Sequence, residues 1–271
     1  MLNDFTFGQY FPVNSIIHRL DPRAKLSLTL LFIVLIFSSV HYVSLLFVAL
    51  VVLTVILLTK VPFKMYLKNL KFILPIILLT TFINLFYIKE GSVLFEYWII
   101  KITDEGLQRS LFLALRVVLL ILISSALTYA TSPNDITDGL ERLLSPLKFL
   151  GLGNAIHTMT MMMTIALRFI PTLVEETQKI MNAQKARGAD FENGSLAQKV
   201  KAIIPILIPL LISSVRRAYD LAEAMESRCY NGGEGRTHFK QFTFKFIDYL
   251  SFAVFVIAFI ITILLNIFVA V

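Results

Sequence analysis

Two short stretches carry the residues best suited to a specific contact. Ala183-Gln184-Lys185-Ala186-Arg187-Gly188 and Ala224-Met225-Glu226-Ser227-Arg228-Cys229 share the pattern A-x-x-[A/S]-R-[G/C]. Arginine presents five donors in a fixed planar fork that suits a carboxylate. The residues before each Arg are small. Gly188 stops the first stretch, and Cys229-Tyr230-Asn231-Gly232-Gly233 stops the second. Each therefore reads as the compact, cationic tip of a helix. A single tip is accounted for by the helix macrodipole, which favours a cation at a C-terminus by about 0.3–1 kcal/mol. Two alike on consecutive helices point further, to two like sockets on a partner of two-fold character.

Other chemistries find less support. The four histidines, His18, His41, His157 and His238, show no metal-ligand spacing, and the metal expectation is none. No Gly-Lys dipeptide occurs, so the chain has no P-loop and is not itself an ATPase of that kind. Gly232-Gly233-Glu234-Gly235 reads as a flexible turn rather than a phosphate cradle. Asn134-Asp135-Ile136-Thr137-Asp138 is similar to the first acidic motif of intramembrane prenyltransferases, whose aspartates hold Mg²⁺ and a diphosphate. No second such motif follows, and helix capping accounts for Asp135. A self-contained secondary transporter would need ionisable residues inside its spans, and Arg116 is the one clear case.

The elements that must position the tips follow from composition. Apolar residues make up 57 % of the 271-residue chain and charged residues 16 %, with 23 Phe and 9 Tyr. That excludes an ordinary soluble domain, with about 25 % charge, and a disordered chain. The single Cys excludes a disulfide scaffold. The fold class is all-α: a polytopic membrane protein with about five spans and a cytosolic region of three helices. The net charge of +7 reads as basic cytoplasmic loops rather than nucleic-acid binding.

No charge occurs from Leu26 to Thr59. One helix of that length would be about 51 Å long against a hydrocarbon core of about 30 Å, so it must turn. Ser38, Ser39, His41 and Tyr42 mark the place, between spans at 26–38 and 43–59. A third apolar run is Phe72–Ile88. A fourth, anchored by Val117–Ala130, begins near Asp104 as N-cap. The last is Tyr249–Val271. Met1–Ser15 lacks the pattern of a cleavable signal, so the first apolar segment is expected to remain as a span. Arg19, Arg23 and Lys25, with Lys60, Lys64, Lys68 and Lys71, place the N-terminus in the cytoplasm, and five crossings place the C-terminus outside.

Residues 132–240 lie between these spans, dividing the chain into 1–131, 132–240 and 241–271. Ser132-Pro133-Asn134-Asp135 opens a helix expected to run to about Leu150. Further helices are expected at Asn154–Arg187 and at Leu196–Arg228, the latter bent at Pro205 and Pro209. Phe149–Leu167 is also uncharged but reads as a helix packed against the membrane part, and Ile203–Val215 is too short to span. Glu175 and Glu176 are placed to pair with Lys179, and Arg216 and Arg217 to sit at the interface or to pair with Asp220.

In this setting the sequence resembles the transmembrane coupling subunit (T component) of energy-coupling factor transporters, the bacterial vitamin and metal importers. The tips Ala186-Arg187-Gly188 and Ser227-Arg228-Cys229 match that family's paired Ala-Arg-Gly-like motifs. Asp21-Pro22-Arg23-Ala24-Lys25-Leu26, Arg168-Phe169-Ile170-Pro171 and Gly235-Arg236-Thr237 extend the match from end to end. The second tip departs from Ala-Arg-Gly at both flanks, and Cys229 has less backbone freedom than Gly188.

The resemblance implies a non-catalytic, multi-pass subunit of a bacterial cell membrane. It implies that the two tips dock into two ABC-type ATPases, a heterodimer, which hold the ATP and Mg²⁺; this chain carries no cofactor. An exchangeable substrate-binding S component packs elsewhere, and ATPase motion is relayed to it. Met159, Met161, Met162 and Met163 form an adaptable patch suited to differing S components, or else a gap-filling core. Gly8-Gln9-Tyr10-Phe11-Pro12 resembles the type shared among several S components.

Overall fold

A charge-free run longer than a bilayer is broken where its polar residues cluster. In the computed structural model, which describes residues 10–87, 92–97, 100–151, 153–189, 195–232 and 243–270, α1 is Pro22–Ser38 and α2 is Tyr42–Thr59. Asn266 clasps the turn, donating to the Ser38 carbonyl at 2.8 Å and accepting from the Val40 amide at 3.2 Å. Arg116 donates to the Ser39 carbonyl at 2.6 Å and lies over the Phe112 ring at 4.7 Å. The ionisable residue expected to distinguish a secondary transporter is thus engaged in holding this turn.

The described residues form two compact units. One comprises 10–139 and 243–270 and the other 140–232, the first boundary falling within the helix α5 (Pro133–Leu144). The first unit contains α1, α2, α3 (Phe63–Tyr87), the antiparallel pair β1 (Val93–Tyr97) and β2 (Ile100–Thr103), α4 (Asp104–Ala130) and α8 (Phe246–Ala270). α4 is central, packing against α1, α2 and α3, while α8 packs on α1 and α2. The core is built at helical spacing: Leu28, Phe32, Leu35 and Ile36 meet Leu45, Val48, Val52 and Ile56, then Leu119, Ile123 and Phe255. The opposite faces are apolar too, with Leu46, Leu50, Leu53 and Leu57 of α2 exposed. Helices apolar all round belong in a membrane.

Polar clasps secure the ends of α1, α4 and α8. Asp21 caps α1, accepting from the Arg23 amide at 2.9 Å, with Pro22 at the first helical position. The buried Asp248 carboxylate accepts the Asp21 amide at 2.9 Å and the Lys245 amide at 2.7 Å. Buried Lys25 donates to the carbonyls of His18 at 3.0 Å and Ala130 at 2.9 Å.

Several boundaries differ from expectation for local reasons. α3 begins at Phe63 rather than Phe72, because Lys64, Lys68 and Lys71 continue the helix instead of preceding it. The N-cap of α4 is Thr103, whose Oγ1 accepts the Gly106 amide at 3.1 Å, and Asp104 is the first helical residue. Between α3 and α4 the chain forms the antiparallel β1–β2 pair. Ser132 opens α5 (Pro133–Leu144) as expected, accepting the Asp135 amide at 3.2 Å. It stops at Leu144 and continues as 3-10 over Ser145–Leu150, because Pro146 disfavours α geometry at the residue before it.

Five helices among the described residues are long and apolar enough to cross a membrane: α2, α3, α4, residues 200–226 of α7 and α8. The number agrees with the sequence reading, but the set does not. α1, with 17 residues and about 26 Å, stands outside that set, at the short end of the roughly 17–25 residues that can span. The second unit holds α6 (Gly153–Ala186) and α7 (Leu196–Glu226), packed on one another. Gly151, at φ 78°, separates the 3-10 segment from α6, so Phe149–Leu167 is not one helix.

Candidate functional site

Both Arg tips are built by the same backbone motif. At the end of α6, the Ala189 amide donates to the Gln184 carbonyl at 3.0 Å and the Gly188 amide to that of Lys185 at 3.0 Å. At the end of α7, the Tyr230 amide donates to the Met225 carbonyl at 3.1 Å and the Cys229 amide to that of Glu226 at 2.9 Å. This pair of bonds is the Schellman closure, and it requires a left-handed residue after the cap. Gly188 supplies φ 89° and Cys229 supplies φ 55°. The side-chain difference at the second tip is therefore absorbed by a strained, left-handed Cys229, and both arginines occupy the cap position. Ala186, Arg187, Gly188, Ser227, Arg228 and Cys229 are all exposed, and no described residue pairs with either guanidinium. Each tip presents a cation at the negative end of a helix dipole, available to an outside carboxylate.

Among the described residues, one ion pair ties the helices behind the tips to each other. Arg217 Nη2 donates to Glu176 Oε2 at 2.8 Å. Glu176 thus bonds across to α7, and Arg217 takes the interface position rather than pairing with Asp220, because the packed helices bring these opposite charges together. The Ser213 hydroxyl and the Arg217 guanidinium hold the Glu176 carboxyl below its ordinary range. Beside the bridge lies a groove of about 270 Å³, lined by Phe169 and Leu173 of α6 and by Ala218, Leu221 and Met225 of α7.

Comparison with known proteins shows the family of the chain. The family described as cobalt transport protein, CbiQ, matches residues 13–239. The chain is 46 % identical over 250 residues to the energy-coupling factor transporter transmembrane protein EcfT of Ruminiclostridium cellulolyticum, covering 92 % of each. It is 47 % identical to that of Thermosediminibacter oceani, covering 93 % of this chain and 94 % of the relative. It is 44 % identical to that of Bacillus subtilis, covering 89 % and 90 %. The chain belongs to the EcfT family.

The EcfT-family assignment makes the protein a multi-pass membrane component of a transporter rather than an enzyme. Its methionine patch divides on α6. Met159, Met162 and Met163, at the spacing of one helical face, are exposed within their unit, whereas Met161 is half-buried. The gap-filling reading fits Met161 better than the other three. Nearby, His157 Nδ1 lies 3.1 Å from Glu141 Oε1, joining α6 to α5. Gly235-Arg236-Thr237 falls outside the described residues. Sequence reasoning missed Glu176–Arg217 and Asp248. The first gives no local signal, and the second shows only as a lone carboxylate at the head of an apolar run.

Proposed function

We propose that this chain is the non-catalytic coupling subunit of an ATP-driven vitamin or micronutrient importer of a bacterial cell membrane. Arg187 and Arg228 each dock in one of two ABC-type ATPases, which bind the ATP and Mg²⁺. Their movement passes along α6 and α7 to an exchangeable substrate-binding S component, with Met159, Met162 and Met163 contributing to the surface it meets. The observation that carries this reading is the repetition of one tip: the same closure, an arginine with no partner among the described residues at the same cap position, on two helices packed together. A helix transmits displacement well because its backbone bonds are satisfied internally.

In this reading α1 crosses together with α2, α3, α4 and α8, so α6 and α7 lie at the cytoplasmic face, with the N-terminus inside and the C-terminus outside. The Glu176–Arg217 bridge supports that placement, since it ties the charged second half of α6 to α7. The apolar stretch Ile203–Val215 of α7 then meets the membrane surface or the S component rather than crossing.

Purification of the tagged chain from its native membrane tests the proposal, as wild type and as Arg187→Glu/Arg228→Glu. Two ATPases and a small membrane protein should accompany the wild type, and the ATPases should be lost from the variant. Truncating a buried charge pair at an interface costs on the order of 2–5 kcal/mol, enough to remove a partner during washing. A wild type that purifies alone would overturn the reading.

A further inference from the structure

The Glu176–Arg217 bridge stands in a defined relation to the tips. Its members are 41 positions apart, the same separation as Arg187 and Arg228. Each therefore lies the same distance, about 16 Å, before its own tip. Such a distance is three helical turns, and eleven residues in three turns return to within about 20° of the same direction. Two arms of equal length and matching azimuth meet at one ion pair.

Stability is a poor explanation for that pair. Its side chains are 38 % and 22 % exposed, and pairs of that kind contribute little to folding. Position is a better one. The groove beside the bridge is lined by apolar side chains, Phe169 and Leu173 of α6 and Ala218, Leu221 and Met225 of α7. Apolar burial is non-directional, so it does not by itself fix how one helix lies on the other. The bridge is directional by contrast. The guanidinium donates to Glu176 at 2.8 Å through Nη2, and Nε reaches the Ser213 hydroxyl at 3.5 Å.

We propose that Glu176 and Arg217 are the pivot pinning α6 to α7, so that displacement of one tip is transmitted to the other instead of being lost as sliding. They are positioning residues and contact no ATPase. The inference rests on the tips being the ATPase-docking elements, and its test separates the two claims.

Spin labels on genetically encoded residues at Asn182 and Glu223, which leave Cys229 in place, report the separation of the arms in the intact complex with its ATPases. The unaltered pair should give a narrow distance distribution that shifts as a whole on trapping with ATP and vanadate. Glu176→Gln or Arg217→Gln should at least double its width while the ATPases stay bound. The exchange Glu176→Arg/Arg217→Glu should restore the narrow distribution. Unchanged widths in the single variants would overturn the proposal, as would failure of the exchange to narrow them. Loss of the ATPases from a single variant would overturn it too, because the bridge would then be an assembly contact. Absence of ATPases from the unaltered chain would instead refute the tip reading.

Discussion

Replacing Gly188 by Ala isolates the backbone cost of a tip. A Cβ added at Gly188 meets nothing within 4 Å, so no clash contributes. What remains is the φ of 89°. A left-handed conformation costs an L-residue roughly 1–2 kcal/mol, and the stiffer unfolded chain returns about 0.4–1 kcal/mol. The net loss is about 1 kcal/mol, a change of about fivefold in a local opening equilibrium. The amide of Ala189 closes the motif onto Gln184, so its hydrogen exchange reads that opening directly. Exchange should quicken about fivefold in Gly188→Ala, with the unfolding temperature of the whole chain little changed. Cys229→Gly should act the other way, slowing exchange at Tyr230, because it relieves a strain that Cys229 now bears at φ 55°. Exchange at Ala189 unchanged in Gly188→Ala, or both substitutions shifting exchange in the same direction, would refute the reasoning.

Asp248→Ala strips two backbone amides of their charged acceptor at a buried site and should destabilise the chain by about 3 kcal/mol; Asp248→Asn, which keeps one acceptor oxygen, should lose less in thermal melts in detergent. His18 is held below its ordinary pKa of 6.5, first by burial and then by Lys25, while its Nε2 donates to the Phe11 carbonyl. The unfolded chain therefore takes up the proton first as pH falls, so this stabilisation is full above pH 6.5 and is lost below it; melts from pH 8 to 5 should fall more steeply for wild type than for His18→Gln. A Cβ on Gly139 would already stand 3.1 Å from Leu26 Cδ1 and Pro22 Cβ, so Gly139→Leu should cost about 1–3 kcal/mol by overpacking, measured in the same melts.

The turn between α1 and α2 was legible because an uncharged run too long for a bilayer has to bend, and its only polar cluster says where. The helix stop at Gly188 was legible because glycine occupies a left-handed position freely. Cys229 obscured the same geometry at the second tip, since nothing in a cysteine announces a positive φ. The continuation of α3 through Lys64, Lys68 and Lys71 was hidden by charge, which marks a water-facing stretch but does not break a helix. Pro171, Pro205 and Pro209 likewise remain inside helices, where neighbouring turns carry the geometry past one missing donor. The partner of Glu176 could not be read at all. Spacing along a helix offers Lys179, and only packing brings Arg217 to 2.8 Å.

The most direct measurement is photo-cross-linking from the tips themselves. A photoreactive residue at Ala186 or at Ser227, both exposed and one position before an Arg, leaves both arginines in place. In native membranes each should form adducts with an ATPase, whereas the same group at Met162 should not. Adducts from either tip only to lipid or to another membrane protein would contradict the claim that two arginine-tipped helices dock two ATPases.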